Sequence, residues 1–241
     1  MDAATAVVLR RLHERSTEEV MARARAQFQG DDDAFAALGE RYFSLAPRLR
    51  GQFLASHGLS SEDAQSSQGT ALSLAVTPDT GRFLRQMVLM QRPARVLELG
   101  SSRGVSTLYL ADGLRTLGRG SVVATERDPD KCASLRAHVS AAALEAYVDL
   151  REGDVFDTVA QLSGPFDLVF VDVWADAYLP LFRAIERLLR PGSMVVTDNM
   201  YTANEAVDRY RHYLGAHPRL SSMTLDCEFG LELTAVLAPL V

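Results

Sequence analysis

The stretch RVLELGSSRGVSTLYLADGLRTLGRGSVVATE, residues 95–126, leaves few folds open to this chain. An apolar run at 96–99 stops abruptly at Gly100-Ser-Ser-Arg-Gly104. A helical pattern follows, with Leu108, Leu110 and Leu114 as its apolar positions, until Gly118 and Gly120 break it. A second apolar run, 122–124, ends in Thr125 and Glu126. The order is strand, glycine turn, helix, strand. In such a unit the glycines let backbone N–H groups approach a ligand, and the helix N-terminus faces it. Glu126 stands 26 residues after Gly100, where an acid can accept hydrogen bonds from two ribose hydroxyls.

The rest of the chain repeats the alternation. Thr77-Pro78 is a helix start, a hydroxyl cap with proline at the first helical position, and the helix runs to about Gln91 over Phe83, Leu84, Met87 and Val88. Beyond Glu126 the pattern predicts a helix over 128–142, a strand at 147–150, a buried strand at 166–171 and a helix over 175–189. It then predicts a strand at 194–197, a helix over 205–214 and two closing strands at 220–226 and 231–238. Strand alternating with helix implies an α/β fold: a mostly parallel, seven-stranded sheet with helices on both faces. Ligands then bind at the carboxyl ends of the strands. The polar residues at those ends are Gly100 to Gly104, Glu126, Asp154, Asp172, Asp198 and Asn199.

Residues 1–70 form a separate N-terminal helical extension to a domain spanning 71–241. Val7, Val8, Leu12, Val20 and Met21 recur at helical spacing, a break at 30–33 caps a second helix, Pro47 opens a third, and 59–72 is a polar loop. The extension is a packing appendage or lid, or it serves substrate selection or a homodimer. The length suits one large domain. A net charge of −6 argues against a general nucleic-acid binder. There is no apolar run of membrane-spanning length and no secretory signal pattern, and Cys132 and Cys227 are too few for a disulfide framework; a cytoplasmic, reducing setting is expected.

Two motifs carry chemistry. Asp172 and Asp198-Asn199 each follow a β-rich run, FDLVFVD and MVVTDN. Two carboxylates and an amide oxygen are hard ligands that suit Mg²⁺, Mn²⁺ or Ca²⁺ better than zinc; the alternative is that they cap helices or touch a cofactor. Gly230-Leu231-Glu232 puts an acid in the last hairpin, either reaching a substrate hydroxyl or solvated at the strand edge.

The E-x-G-x-x-x-G form at Glu98, Gly100 and Gly104 resembles the first motif of class I S-adenosylmethionine-dependent methyltransferases. From about Val76 onward the chain is similar to the metal-dependent O-methyltransferases, the group of catechol and caffeoyl-CoA O-methyltransferases. The resemblance implies a Rossmann-like doubly wound sheet and S-adenosylmethionine contacts from Val76, Glu98, Gly100, Ser101, Gly104, Ser106, Glu126 and Arg127. It adds Asp154 and Val155 near the adenine, Trp174 beside it, and Asp172. It implies metal ligation by Asp172, Asp198 and Asn199, with Asp172 and Glu232 as catalytic residues and Glu232 holding the second hydroxyl of a catechol-like acceptor. The implied reaction is methyl transfer to a small hydroxylated aromatic. Rival readings are an amine or hydroxylated tRNA base as nucleophile, a metal-independent enzyme, or a cofactor-binding protein that has lost catalysis. The family's usual lysine base, three places after the first metal ligand, is here Ala175, and the chain's one lysine is Lys131.

Overall fold

The computed structural model describes residues 1–29, 31–57, 75–202 and 204–240, so the expected loop at 59–72 lies outside the described residues. The described residues form seven strands: β1 (Arg95–Leu99), β2 (Ser121–Glu126), β3 (Val148–Glu152), β4 (Leu168–Val171), β5 (Met194–Thr197), β6 (Leu220–Leu225) and β7 (Leu231–Val236). They form one sheet in the order β3-β2-β1-β4-β5-β7-β6. The first five are parallel, and β7 inserts antiparallel between β5 and β6. Strand order reverses between β1 and β4, and at such a point an open sheet leaves a crevice beyond the carboxyl ends of its strands.

The α-helices among the described residues are α1 (Ala3–Gln27), α2 (Asp32–Ser44), α3 (Pro47–Ser56), α4 (Pro78–Gln91), α5 (Val105–Leu117), α6 (Pro129–Ala141), α7 (Val155–Gln161), α8 (Tyr178–Ile185) and α9 (Glu205–Ala216). Side chains alternate along the strands, so the sheet feeds two cores. Val96, Phe170, Val196 and Leu231 join α1, α4, α5 and α6 on one face. Leu99, Val171, Val195 and Val236 join α7, α8 and α9 on the other. Burying each large aliphatic side chain contributes about 1.5–3 kcal/mol before the entropy of ordering is subtracted.

The start of α4 matches its sequence signal: Thr77 Oγ1 accepts from the Thr80 N–H at 3.2 Å, and proline opens the helix. Leu84 and Val88 are buried, while Phe83 and Met87 are half-buried. Gly81 lets α4 approach α5, since a Cβ there would stand 2.1 Å from the Tyr109 ring.

Several expectations are corrected. The buried line of α1 is Thr5, Leu9, Leu12 and Ser16, and Val7, Val20 and Met21 are exposed. Two members of that line are polar and are held by hydrogen bonds, Arg115 Nη2 to Thr5 Oγ1 at 2.9 Å and the Ala75 N–H to Ser16 Oγ at 3.4 Å, so apolar spacing alone misses it. The segment 175–189 is not one helix: single 3₁₀ turns, Ala175–Ala177 and Glu186–Leu188, flank α8. The short helix α7 was not expected; its one sequence signal is its cap, Asp154. Among the described residues no helix is long and apolar enough to cross a membrane.

Candidate active site

The glycine turn after β1 forms a cradle at the sheet's carboxyl edge. Gly100 has φ +88°, and a Cβ on it would lie 2.2 Å from the Asp172 carbonyl oxygen, so only glycine lets the two strand ends meet. The Gly100 N–H reaches Thr125 Oγ1 (3.2 Å) and the Ser101 N–H reaches the Thr125 carbonyl (2.9 Å), which ties the turn to β2. Gly104, at φ +92°, is the N-cap of α5 and has no side chain to occupy the helix's free N–H groups. A small cavity at this turn is lined by Val76, Gly100, Ser101, Ser106 and Asp172, all expected from sequence. Ser102 and Arg103, which belong to the expected turn from Gly100 to Gly104, line it too, and so does Val105, which was not singled out.

Glu98 lies fully buried within this region. Its Oε2 accepts from Ser101 Oγ (2.8 Å) and Thr107 Oγ1 (2.5 Å), and its Oε1 has no partner among the described residues. Burial raises its carboxyl above the usual range, against hydroxyl hydrogen bonds that lower it. Glu126 is treated differently. Its Oε2 accepts from the Ser102 N–H (2.8 Å), and its Oε1 from the Arg127 and Asp128 N–H groups (both 2.9 Å). The Arg127 side chain is exposed. Asp154 is exposed and caps α7 by accepting from the Phe156 N–H at 2.8 Å; Val155 is half-buried and packs on the second core, and Trp174 is 40% exposed.

A second group of acids stands at the ends of β4 and β5. The ladder carries one residue past each strand: the Asp172 N–H bonds the Leu99 carbonyl (2.9 Å) and the Asp198 N–H bonds that of Val171 (3.0 Å). Asn199 follows at φ +60°, and its Nδ2 donates to Asp172 Oδ1 at 3.2 Å. The Asn199 N–H donates to Asp198 Oδ1 (2.8 Å), and the buried Tyr178 hydroxyl donates to the Asp198 carbonyl (3.0 Å). Desolvation pushes Asp172 well above the carboxylate range, and the charges of Asp198 and Glu98 push it further; the Asn199 amide and the field of Lys131 oppose this. Desolvation raises Asp198 to about 6, with Glu228 adding to the rise and the Asn199 N–H lowering it. Tyr178 is raised well above 10 by burial and these acids, so it stays a hydrogen-bond donor. Among the described residues no guanidinium or ammonium lies within ion-pair distance of Asp172 or Asp198, and no group of three His, Cys, Asp or Glu side chains forms.

Glu232 does not join them. It pairs with Thr197 across β5 and β7, so its side chain lies on the face opposite Leu231. It is buried, with Ser222 Oγ donating to one carboxylate oxygen and Thr224 Oγ1 to the other at 2.5 Å. The expected contact with an acceptor hydroxyl is therefore corrected: antiparallel register sends this acid into the second core. The hairpin acid within electrostatic reach of Asp198 is Glu228, held at φ +51°. It opens the same E-F-G-L-E run, and its placement depends on a turn conformation that the run does not reveal.

The methyltransferase-domain family matches residues 97–200. A catechol O-methyltransferase of Mycobacterium tuberculosis is 30% identical over 165 residues, covering 64% of this chain and 74% of that protein. The chain belongs to the catechol and caffeoyl-CoA O-methyltransferase family. A second catechol O-methyltransferase, from Niastella koreensis, is 32% identical over 56% of this chain, and the matched part spans 62% of that protein's length. Among solved structures, cofactor-bound Rv0187 from MTB superposes with a TM-score of 0.65 at 27% identity, covering 90% of this chain and 95% of that one. An O-methyltransferase from Bacillus cereus in complex with SAH gives 0.63 at 26%, covering 77% and 96%. Within this family frame the place of the usual lysine holds Ala175, half-buried at the start of a 3₁₀ turn.

Proposed function

We propose that this chain transfers the methyl group of S-adenosylmethionine to a hydroxyl of a small catechol-like aromatic, with a divalent metal ion, Mg²⁺ or Mn²⁺, held by Asp172, Asp198 and Asn199. The observation that supports the reading is the pair of strand-end acids, brought together at the ends of β4 and β5 through Asn199, which donates to Asp172 and to Asp198; burial raises both carboxyls, and no ion pair reaches either among the described residues. A hard cation fits this donor set, and turning the Asn199 amide over presents its oxygen in place of its nitrogen. The cofactor fits the cradle as well, because Glu98 Oε1 is a buried acceptor without a donor and the cofactor's ammonium group is one. When bound, the ion supplies Lewis acidity toward a phenol of ordinary pKa about 10, and the cofactor supplies the methyl group.

The chain's own residues hold and orient. Gly100 and the free N–H groups at the start of α5 receive the cofactor's amino-acid end, Ser106 adds a hydroxyl, and Glu126 receives its ribose. Tyr178 pins the Asp198 backbone, which fixes the angle of that carboxylate, and proximity then carries much of the rate. Glu228, whose charge reaches Asp198, takes in this reading the role first given to Glu232, that of an acid for a second acceptor hydroxyl. The phenol proton leaves to solvent, since the family's lysine base is replaced by Ala175. The same replacement favours one rival, a protein that binds cofactor and no longer turns over.

Stripping metal with EDTA tests the reading. Catechol methylation should vanish and return with Mg²⁺ or Mn²⁺. Full turnover by a verified metal-free protein would overturn the metal assignment, and cofactor binding with no methylation of any diol would favour the rival.

A further inference from the structure

A cavity of about 350 Å³ lies between α3 and the segment that follows Asn199. Small-molecule sites start near this size. Arg48 and Gln52 of α3 line one side, and Met200, Tyr201 and Arg211 line the other. Met200 and Tyr201 come directly after the acid-amide pair, and the Tyr201 ring packs over Gly230 in the hairpin that carries Glu228. Their segment is fixed: the Met200 N–H bonds the Gly230 carbonyl at 3.0 Å, the Tyr201 N–H bonds that of Phe229 at 2.7 Å, and Arg211 Nη2 donates to the Met200 carbonyl.

The charges in this cavity are unevenly committed. Arg48 stands 4.0 Å from Asp226, and both side chains are about half exposed or more, so the pair contributes little and exchanges readily. Arg211 Nη1 is 3.9 Å from Asp208, and its Nε is buried without a partner. The two acids at the rim face water: the Glu205 and Asp208 side chains are 93% and 79% exposed. The Arg48 guanidinium, with its one weak ion pair and Tyr201 beside it, suits the end of an aromatic acceptor that carries a carboxylate, which arginine binds through two parallel hydrogen bonds.

We propose that this cavity is a subsite for an anionic tail on the acceptor and that Arg48 reads the tail. The inference rests on the reading above that an aromatic diol is held beside Asp198 and Asn199. It makes the extension part of the specificity of the enzyme, because Arg48 comes from α3.

The test compares catechol, 3,4-dihydroxyphenylacetate and dopamine on the full chain with cofactor and Mg²⁺, in wild type and Arg48→Glu. The wild type should favour the acid over plain catechol at least tenfold in kcat/KM, through KM. Arg48→Glu should reverse the order of acid and amine, with cofactor affinity and melting temperature as checks on folding. Equal KM for acid and catechol in wild type, or an unchanged order in a folded Arg48→Glu, overturns the subsite. If no diol is methylated, the proposed function fails instead, and the subsite is then judged by calorimetry. Tighter binding of the acid to wild type than to Arg48→Glu supports it, and equal binding, or none, overturns it.

Discussion

Glu126 and Asp198 both stand at strand ends on the same edge of one sheet, yet the chain surrounds them in opposite ways. Glu126 accepts three backbone N–H bonds, from Ser102, Arg127 and Asp128. Asp198 is desolvated, near Glu228, and without a guanidinium or ammonium partner among the described residues. The end of β2, proposed here as the cofactor side, is organised by the protein's own backbone. In the proposed function, the end of β5 is the acceptor side, and its acids take a cation from outside. A chain can satisfy a carboxylate with its own dipoles where it must stay fixed, and withhold partners where the carboxylate must hold an ion.

The largest effect that sharpens this contrast comes from Asp198→Ala. Turnover on catechol should fall by more than about a hundredfold, since losing even an outer partner of a metal ligand costs 10–100-fold. Affinity for S-adenosylhomocysteine, read by calorimetry, should stay within a few-fold. A comparable loss of cofactor affinity would break the division into two sides.

Glu126→Ala should act on the other side. Hydrogen bonds to a charged group are worth about 1.5–3 kcal/mol, so cofactor binding should weaken by roughly 10- to 150-fold. Unchanged affinity would mean that another acid receives the ribose, or that the three backbone bonds leave Glu126 no capacity for it.

The smallest effect is expected at Ala175. Without a base there, the methylation rate of plain catechol should keep rising well above pH 7, and Ala175→Lys should raise the rate several-fold near neutrality. A plateau near pH 6.5 that disappears on replacing one histidine would identify a substitute base instead.

The same contrast explains what the sequence could reveal. The strand cores VLEL, LVFV and MVVT are short apolar runs that end in polar residues, and both the sheet and its binding edge follow from them. The glycine turn was legible because φ near +90° and close approach to Asp172 leave no other residue. Glu232 was misread because alternation in the antiparallel pair with β5 decides its face, and that register is a tertiary fact. The buried line of α1 was hidden because Thr5 and Ser16 replace apolar residues and are satisfied by Arg115 and Ala75. Asp154 caps α7 through one carboxylate oxygen, a role that the sequence signals only through the residue type.

Whether Asp172 and Asp198 take a cation, as proposed, is tested most directly by thermal melting with and without Mg²⁺ at two pH values. Asp198 is raised in the folded state to about 6 from an ordinary 3.8. The folded protein therefore holds this proton more tightly than the unfolded chain does, and the group's stabilising contribution is lost as pH rises from about 4 through about 6. A bound ion competes with that proton. Mg²⁺ should accordingly raise the melting temperature clearly at pH 7.5, much less at pH 5, and not at all in Asp198→Ala. An equal shift at both pH values, or a shift that survives in Asp198→Ala, would contradict the claim.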